Sequence, residues 1–462
     1  MDGRLVKDGF SLRTLSLNVL CFYAALYPVV AHFFMSDSEA GTLVVQVFQT
    51  APILALAYLL RFRDKTRGLK SYVDVWTISL VYFTCAASYF ALFYAPENQF
   101  AEIVYSARFL SWFWFAATLR RVVIEPAFGE RLAKSFWLGA TSQCCIALWG
   151  AIWGLRSGVV STYSKVEATT GSANVSGKTV VAFVVLGIAL SAYWFLTKRR
   201  FKLLYLATGI AGLAVVLYSY NRASQLGLAV AYCCVLLACL RQKRFKAAGA
   251  LLGALLVFAT FIASSYGSRF AARWEMVVDD HGSGRLEMIE IAGRSLIDPP
   301  SSGVFWFGRG VYQTKEMMYE EIGSYIGMHN DVLDFAIVYG AAGAGLWLWT
   351  IYTVLSFHKF VPRRAVEKYF VSAASVFIVL TGLFTGLFQA TYVYFMLIAT
   401  QYYFISQARV KQARWEEGRL ASEAAWGDAG WTLDEYADDE EWEDEEEESE
   451  DEGADWERAK VE

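Results

Sequence analysis

The sequence predicts an all-α polytopic membrane protein of about 12 transmembrane helices with one large external loop. Three observations carry this. Apolar residues make up 56% of the 462 positions and charged residues only 19%, where a soluble protein would be about a quarter charged. The apolar residues come in blocks of about 20, the length that crosses a hydrocarbon core of about 30 Å. Lys and Arg crowd every second connection between those blocks.

The elements follow in order. Met1-Asp2-Gly3-Arg4-Leu5-Val6-Lys7 precedes a long apolar stretch without an Ala-x-Ala-like cleavage site, so the first block reads as a retained helix. Spans are expected at about 13–34, 41–60, 72–95, 102–119, 136–154, 179–197, 202–220, 223–240, 246–265, 330–357, 367–386 and 388–406. Arg61, Arg63, Lys65, Arg67 and Lys70 follow the second span, and Arg120, Arg121, Arg131 and Lys134 follow the fourth. Lys198, Arg199, Arg200 and Lys202 follow the sixth, and Arg241, Lys243, Arg244 and Lys246 the eighth. Lys359, Arg363, Arg364 and Lys368 follow the tenth. The intervening connections, Ser36 to Glu39 and Pro96 to Gln99 among them, are poor in basic residues. Positive charge stays inside, so both termini are expected in the cytoplasm. The organisation is then spans 1 to 9 over 1–265, an external loop over 266–328, spans 10 to 12 over 329–407, and a tail over 408–462.

The long loop carries its own helix. Ser283 is placed as an N-cap before Arg285, and Leu286, Ile289, Ala292 and Leu296 recur at helical spacing. Asp298-Pro299-Pro300 stops that helix, and Phe307-Gly308-Arg309-Gly310 follows as a tight turn. An amphipathic helix lying on the membrane surface is expected here.

The net charge of −4 hides a division. From Ala421 onward 20 Asp and Glu stand against 2 Lys and Arg, while the rest of the chain has 39 Lys and Arg against 25 Asp and Glu. A run such as Asp438 to Glu448 self-repels and is expected to be disordered in the cytoplasm. It is either a dispensable solvated tail or a docking segment for a basic cytosolic partner, with Trp426, Trp431, Trp442 and Trp456 as anchors. The seven cysteines all fall in apolar blocks, so no disulfide framework is implied. The four histidines have no paired spacing for a metal, and neither metal nor cofactor nor nucleic acid is expected.

Five residues stand out chemically. His329 sits where the polar loop meets a membrane helix, a place where proton chemistry can act on a substrate that is part lipid and part polar. Arg222 stands at the outer end of the eighth span, against the usual placement of anchoring arginines. A guanidinium matches phosphate oxygens bidentately, so a diphosphate at headgroup depth is its natural partner. Arg285 and Arg309 lie in the outer loop, and Arg108 lies just inside the fourth span. These are further candidates for the same anion, set against simple solvation or pairing with Glu275, Glu287 and Glu290.

His329-Asn330, nine residues, then Gly340-Ala341-Ala342-Gly343 resembles the His-Asn-x9-Gly-x-x-Gly signature of the bacterial O-antigen ligases. Arg222-x-x-x-Leu226 is similar to a second family signature, and Gly284-Arg285, Pro299-Pro300 and Gly308-Arg309-Gly310 resemble the family's outer loop. The resemblance covers roughly Leu203 to Val354; the acidic tail departs from it.

The resemblance implies a GT-C-like glycosyltransferase of the bacterial inner membrane, inverting and metal-independent. It would move a glycan en bloc from an undecaprenyl-diphosphate carrier to a sugar hydroxyl on a glycan or lipid-linked acceptor at the outer face. Arg222 and Arg285 would hold the diphosphate, and His329 would accept or orient the hydroxyl proton. The two glycines would let the signature helix pack closely. An O-antigen or exopolysaccharide polymerase of the same superfamily is the near alternative. A secondary transporter or glycan flippase is the alternative of another class, and its charges would sit near the bilayer midplane in repeated halves. A non-catalytic scaffold recruiting through the acidic tail is a third.

Overall fold

The computed structural model describes residues 12–34, 75–93, 126–157, 177–198, 200–218, 222–241, 285–297, 302–323, 330–363, 365–387 and 391–428, with isolated positions between them that include Glu102, Phe113 and Ala116. Among these residues the fold is all helical, with no strand. The spans expected at 41–60, and most of those at 102–119 and 246–265, lie outside the described residues.

The helices are α1 (Leu12–Phe34), α2 (Val75–Phe93), α3 (Pro126–Ser157), α4 (Gly177–Thr197), α5 (Lys202–Tyr218) and α6 (Arg222–Arg241). After them come α7 (Arg285–Ile297), α8 (Ser302–Phe307), α9 (Val311–Ile322), α10 (Asp331–Ser356), α11 (Val366–Thr385) and α12 (Thr391–Asp428). Most of the long apolar helices begin and end close to where the apolar blocks do, but α3 starts at Pro126, ten residues before the expected 136, and takes in Arg131 and Lys134 from the expected connection. Asp331–Phe360 and Val366–Phe384 are long and apolar enough to cross a membrane, and Thr14–Val30, Thr77–Phe90, Val181–Thr197, Lys202–Val216 and Gln225–Arg241 are shorter apolar helices. The expected last span, 388–406, lies in α12 from Thr391 onward, with 388–390 outside the described residues, and the helix continues to Asp428.

Aromatic side chains fill the core. Tyr392 at the start of α12 is ringed by Tyr27, Phe136 and Phe183 at centroid distances of 4.4, 5.5 and 4.5 Å. Its hydroxyl donates to the Ala24 carbonyl of α1. Several buried polar groups are matched across helices, where an unmatched one costs about 1–3 kcal/mol. Trp137 Nε1 donates to Ser191 Oγ and Trp194 Nε1 to the Tyr403 hydroxyl, at 2.8 and 2.7 Å. Gln401 Nε2 donates to Ser375 Oγ at 2.6 Å, and that hydroxyl donates to the Val354 carbonyl at 3.1 Å. At one end Lys134 and Lys198 each lie 3.0 Å from Glu130. Burial raises the Glu130 pKa, but the two ammonium groups outweigh it and leave it below the ordinary carboxylate value.

Two features of the outer loop depart from the sequence reading. Helix α7 occupies the expected residues, but its buried side is Met288, Ile291, Ala292 and Ser295, and Ile289 is exposed. That side forms a small apolar cluster with Met318 of α9 and Ile337 of α10. The helix thus spends its apolar face on protein packing, where the sequence reading gave it to the membrane surface. Helix α9 was not legible as a helix at all. Its buried face is only Val311, Thr314 and Met318.

Helix α10 departs from the straight span expected at 330–357. Gly340 interrupts it with φ 71° and ψ −173°. Phe335 and Trp347, on either side of the break, stack with centroids 4.2 Å apart and planes 7° apart. Twelve residues of straight helix would separate them by about 18 Å. The two arms therefore fold towards each other about Gly340.

Candidate functional site

The site is built where the loop meets the broken helix. A helix interrupted at Gly340 leaves carbonyls of the preceding turn without their usual N–H partners. The Gly308-Arg309-Gly310 turn fills two of them. Arg309 N donates to the Ile337 carbonyl and Gly310 N to the Val338 carbonyl, each at 3.0 Å. Gly308 and Gly310 have φ of 83° and 84°, a region that glycine enters without strain. A Cβ on Gly308 would strike the Val338 carbonyl, and one on Gly340 would strike the Trp306 carbonyl. Two of the sequence landmarks are therefore one structural joint.

Two distant residues brace the joint. The Tyr82 hydroxyl in α2 lies 2.8 Å from the Tyr339 carbonyl and 3.1 Å from the Trp306 carbonyl. Glu102, 1% exposed, accepts from the backbone N–H groups of Val311 at 3.1 Å and Tyr312 at 2.8 Å. Gly310 at the α9 N-cap offers no side-chain cap, so the carboxylate supplies the acceptors that the first turn needs.

The first arm of α10 begins at Asn330. Its Oδ1 accepts from Val332 N and Leu333 N at 2.9 and 3.2 Å, and its Nδ2 donates to the Leu383 carbonyl of α11 at 2.9 Å. Asp331 follows, 2% exposed, accepting from the Tyr394 hydroxyl at 2.6 Å and from Leu387 N. Asn330 is thus tied to the end of α11, and Asp331 to the junction between α11 and α12.

The expected site residues fall as follows. His329 and Arg108 lie outside the described residues. Arg222 and Arg285 are the first residues of α6 and α7. Helix α7 packs on α10 through Ile337, the residue whose carbonyl receives Arg309 N. Helix α6 packs on α11, with Gly227 against Phe377. Arg309 is half-buried, and its Nε is buried with no hydrogen-bond partner among the described residues. A buried guanidinium N–H without an acceptor is the kind of group that an anionic ligand satisfies. Among the described residues no group of three or more His, Cys, Asp or Glu is placed to hold a metal ion.

Residues 207–348 match the family model described as O-antigen ligase. The match supports a relation of this segment to the O-antigen ligase/polymerase superfamily. Comparison with curated proteins gave no match. The matched segment contains Arg222, Arg285, Arg309, His329, Gly340 and Gly343, so it takes in both sides of the joint. It excludes Arg108, Tyr82 and Glu102. The likeness of this segment and the apolar helices agree with a membrane protein.

Sequence reasoning missed Tyr82, Glu102, Asp331 and Tyr394. Glu102 carried a usable signal: a carboxylate within an apolar block is costly unless something satisfies it. Tyr82 carried none, because a tyrosine in a block this aromatic is unremarkable as sequence.

Proposed function

We propose that this protein is an inverting glycosyltransferase that moves a glycan en bloc from undecaprenyl diphosphate to a sugar hydroxyl at the outer face of the bacterial inner membrane. Twelve spans, cytoplasmic termini and an external loop over 266–328 go with that reading. The observation that carries it is the joint itself. The turn that bears Arg309, whose buried Nε has no hydrogen-bond partner among the described residues, is bonded to the same helical arm that Asn330 starts. An anion-binding guanidinium and the segment entered from His329 are thereby fixed to one body.

The diphosphate would lie against Arg309 with Arg222 and Arg285 closing on it. Under the expected topology α6 and α11 run antiparallel. Five residues back from Gly227 is then about 7.5 Å along α6, which brings Arg222 roughly level with Leu383, the residue that Asn330 bonds. Guanidinium groups aimed at the leaving diphosphate stabilise the charge that grows as the sugar departs. His329 would take the proton of the attacking hydroxyl or orient it, a contribution of about 10²–10⁴ in rate. The diphosphate is already a good leaving group, so this chemistry calls for no nucleotide and no metal.

The test is transfer from a purified undecaprenyl-diphosphate glycan to acceptor by the purified protein, with chelator present. Single transfer of an intact glycan with inversion at the anomeric carbon is expected. His329→Ala and Arg222→Ala should each abolish it while the protein remains inserted, and Arg222→Lys should fail because an ammonium lacks the bidentate fork. Products that grow by successive repeat units would instead make it a polymerase. Near-normal turnover by His329→Ala would remove the proposed base, and loss with chelator restored by added metal would defeat the metal-independent mechanism.

A further inference from the structure

We infer that Glu102 and Tyr82 are positioning residues for the donor, acting through Arg309 by clamping the turn that carries it from both sides. The inference rests on the donor reading of Arg309 given above.

Three observations support it. First, Glu102 is 209 residues from the backbone it caps, is 1% exposed, and directs each carboxylate oxygen at a different N–H of the first turn of α9. A buried carboxylate is costly. What it gains here are charge-assisted hydrogen bonds and the positive end of a twelve-residue helix. Second, a Cβ on Gly310 would lie 3.1 Å from Glu102 Oε1 and 3.1 Å from the Phe90 ring. The carboxylate thus reaches the residue directly after Arg309 as well as the helix beyond it. Third, the Tyr82 hydroxyl sits on the other side of the turn, between Trp306 and Tyr339. Its ring also lies over Phe307, with centroids 6.4 Å apart at 25°.

Arg309 therefore sits in a short tether whose two ends are held by groups from elsewhere in the chain. A long flexible side chain binds an anion well only when its root is fixed, because ordering it at the moment of binding costs affinity. The clamp performs that ordering in advance. Neither bracing residue touches the reacting atoms in this account, so each should change how well the donor is held, not the handling of the acceptor.

The experiment is a double-mutant cycle on the full-length protein in detergent or bilayer, reading KM for the undecaprenyl-diphosphate donor and KM for the acceptor separately. Glu102→Gln keeps one acceptor oxygen and loses the charge. Tyr82→Phe keeps the ring and loses both hydroxyl contacts. Each is expected to raise the donor KM, roughly tenfold for Glu102→Gln and less for Tyr82→Phe, with the acceptor KM unchanged. In an Arg309→Ala background neither change should raise the donor KM further, because a brace has no effect once its load is gone. Additive effects in that background would overturn the inference, as would parallel rises in both KM values or an unchanged donor KM in both single variants. If Glu102→Gln fails to fold, the Tyr82→Phe cycle alone decides by the same criteria. Absence of any transfer by the unmodified protein would overturn the donor reading itself, an outcome distinct from these.

Discussion

Gly308 and Gly340 are interlocked: each brings its bare Cα against the backbone of the other's segment. A Cβ on Gly308 would meet Val338 and Tyr339, and one on Gly340 would meet Trp306 and Phe307. Both have φ in the left-handed region. The signature glycine at 340 thus makes room for the loop and breaks its helix to receive it.

Gly308→Ala and Gly340→Ala should both be severely destabilising. A non-glycine residue at such φ costs about 1–3 kcal/mol before any clash, and here the obstructing atoms are backbone. Gly345 lies five residues beyond the break in the same helix, with nothing within 4 Å of a built Cβ. Gly345→Ala should be neutral or stabilising by about 0.5–1 kcal/mol. Thermal unfolding of the three purified variants checks the contrast; equal behaviour at 340 and 345 would contradict the interlock.

Asn330 should be separable into its two jobs. Asn330→Ala removes the cap on Val332 and Leu333 and the bond to Leu383, and caps of this kind are worth about 0.5–2 kcal/mol. Asn330→Asp keeps the cap acceptor but loses the Nδ2 donor. We expect Asn330→Asp to retain most of the thermal stability while losing transfer activity, because the proposed chemistry needs the start of α10 held on α11. Full activity in Asn330→Asp would show that this tie is not used.

The positions of the long helices were legible because apolar blocks have sharp edges at basic clusters, and α10 and α11 start within a residue or so of the expected places. The break at Gly340 was not. In a membrane segment a glycine ordinarily reads as a packing residue, and only the arriving Trp306–Gly310 backbone makes it a hinge point. The buried side of α7 was misread because two apolar stripes interleave on thirteen residues. Ile289 continues one stripe and Met288 with Ile291 the other, and the choice was made by Met318 and Ile337, which lie elsewhere in the chain. Of the site, Arg309 was a candidate from its neighbours in sequence, whereas the cap made by Asn330 came only with the structure. The bracing by Tyr82 and Glu102 spans more than two hundred residues, and its one local trace is a carboxylate set in an apolar block.

Glu130 should give the fold an acid-sensitive contact between α3 and the end of α4. Its folded pKa is lowered, because Lys134 and Lys198 outweigh the effect of burial. A depressed carboxylate contributes stability above its unfolded pKa, about 4.3, and that contribution is lost as pH falls through the folded value. Glu130→Gln should therefore lose little near neutral pH, where such half-exposed pairs are weak. Its unfolding temperature should fall less steeply than that of the unmodified protein below about pH 4. Parallel acid limbs for the two proteins would argue against this contact.

Asp331 should tolerate amidation better than truncation. Its carboxylate accepts from Leu387 N on one oxygen and from the Tyr394 hydroxyl on the other. An asparagine can keep its oxygen on Leu387 N and turn its amide to the tyrosine, whose hydroxyl accepts as readily as it donates. Asp331→Ala leaves both groups buried without that acceptor, at about 1–3 kcal/mol each. Tyr394→Phe in turn takes a donor away from a carboxylate that is 2% exposed, so it should cost more with Asp331 present than with an asparagine in its place. Unfolding of Asp331→Asn, Asp331→Ala, Tyr394→Phe and the Asp331→Asn/Tyr394→Phe pair measures this. The expected order is Asp331→Asn mildest of the three single changes, with a double variant less destabilised than the sum of its parts. Strict additivity would mean that the two side chains do not act as one contact, and the junction of α11 and α12 would then have to hold the start of α10 by other means.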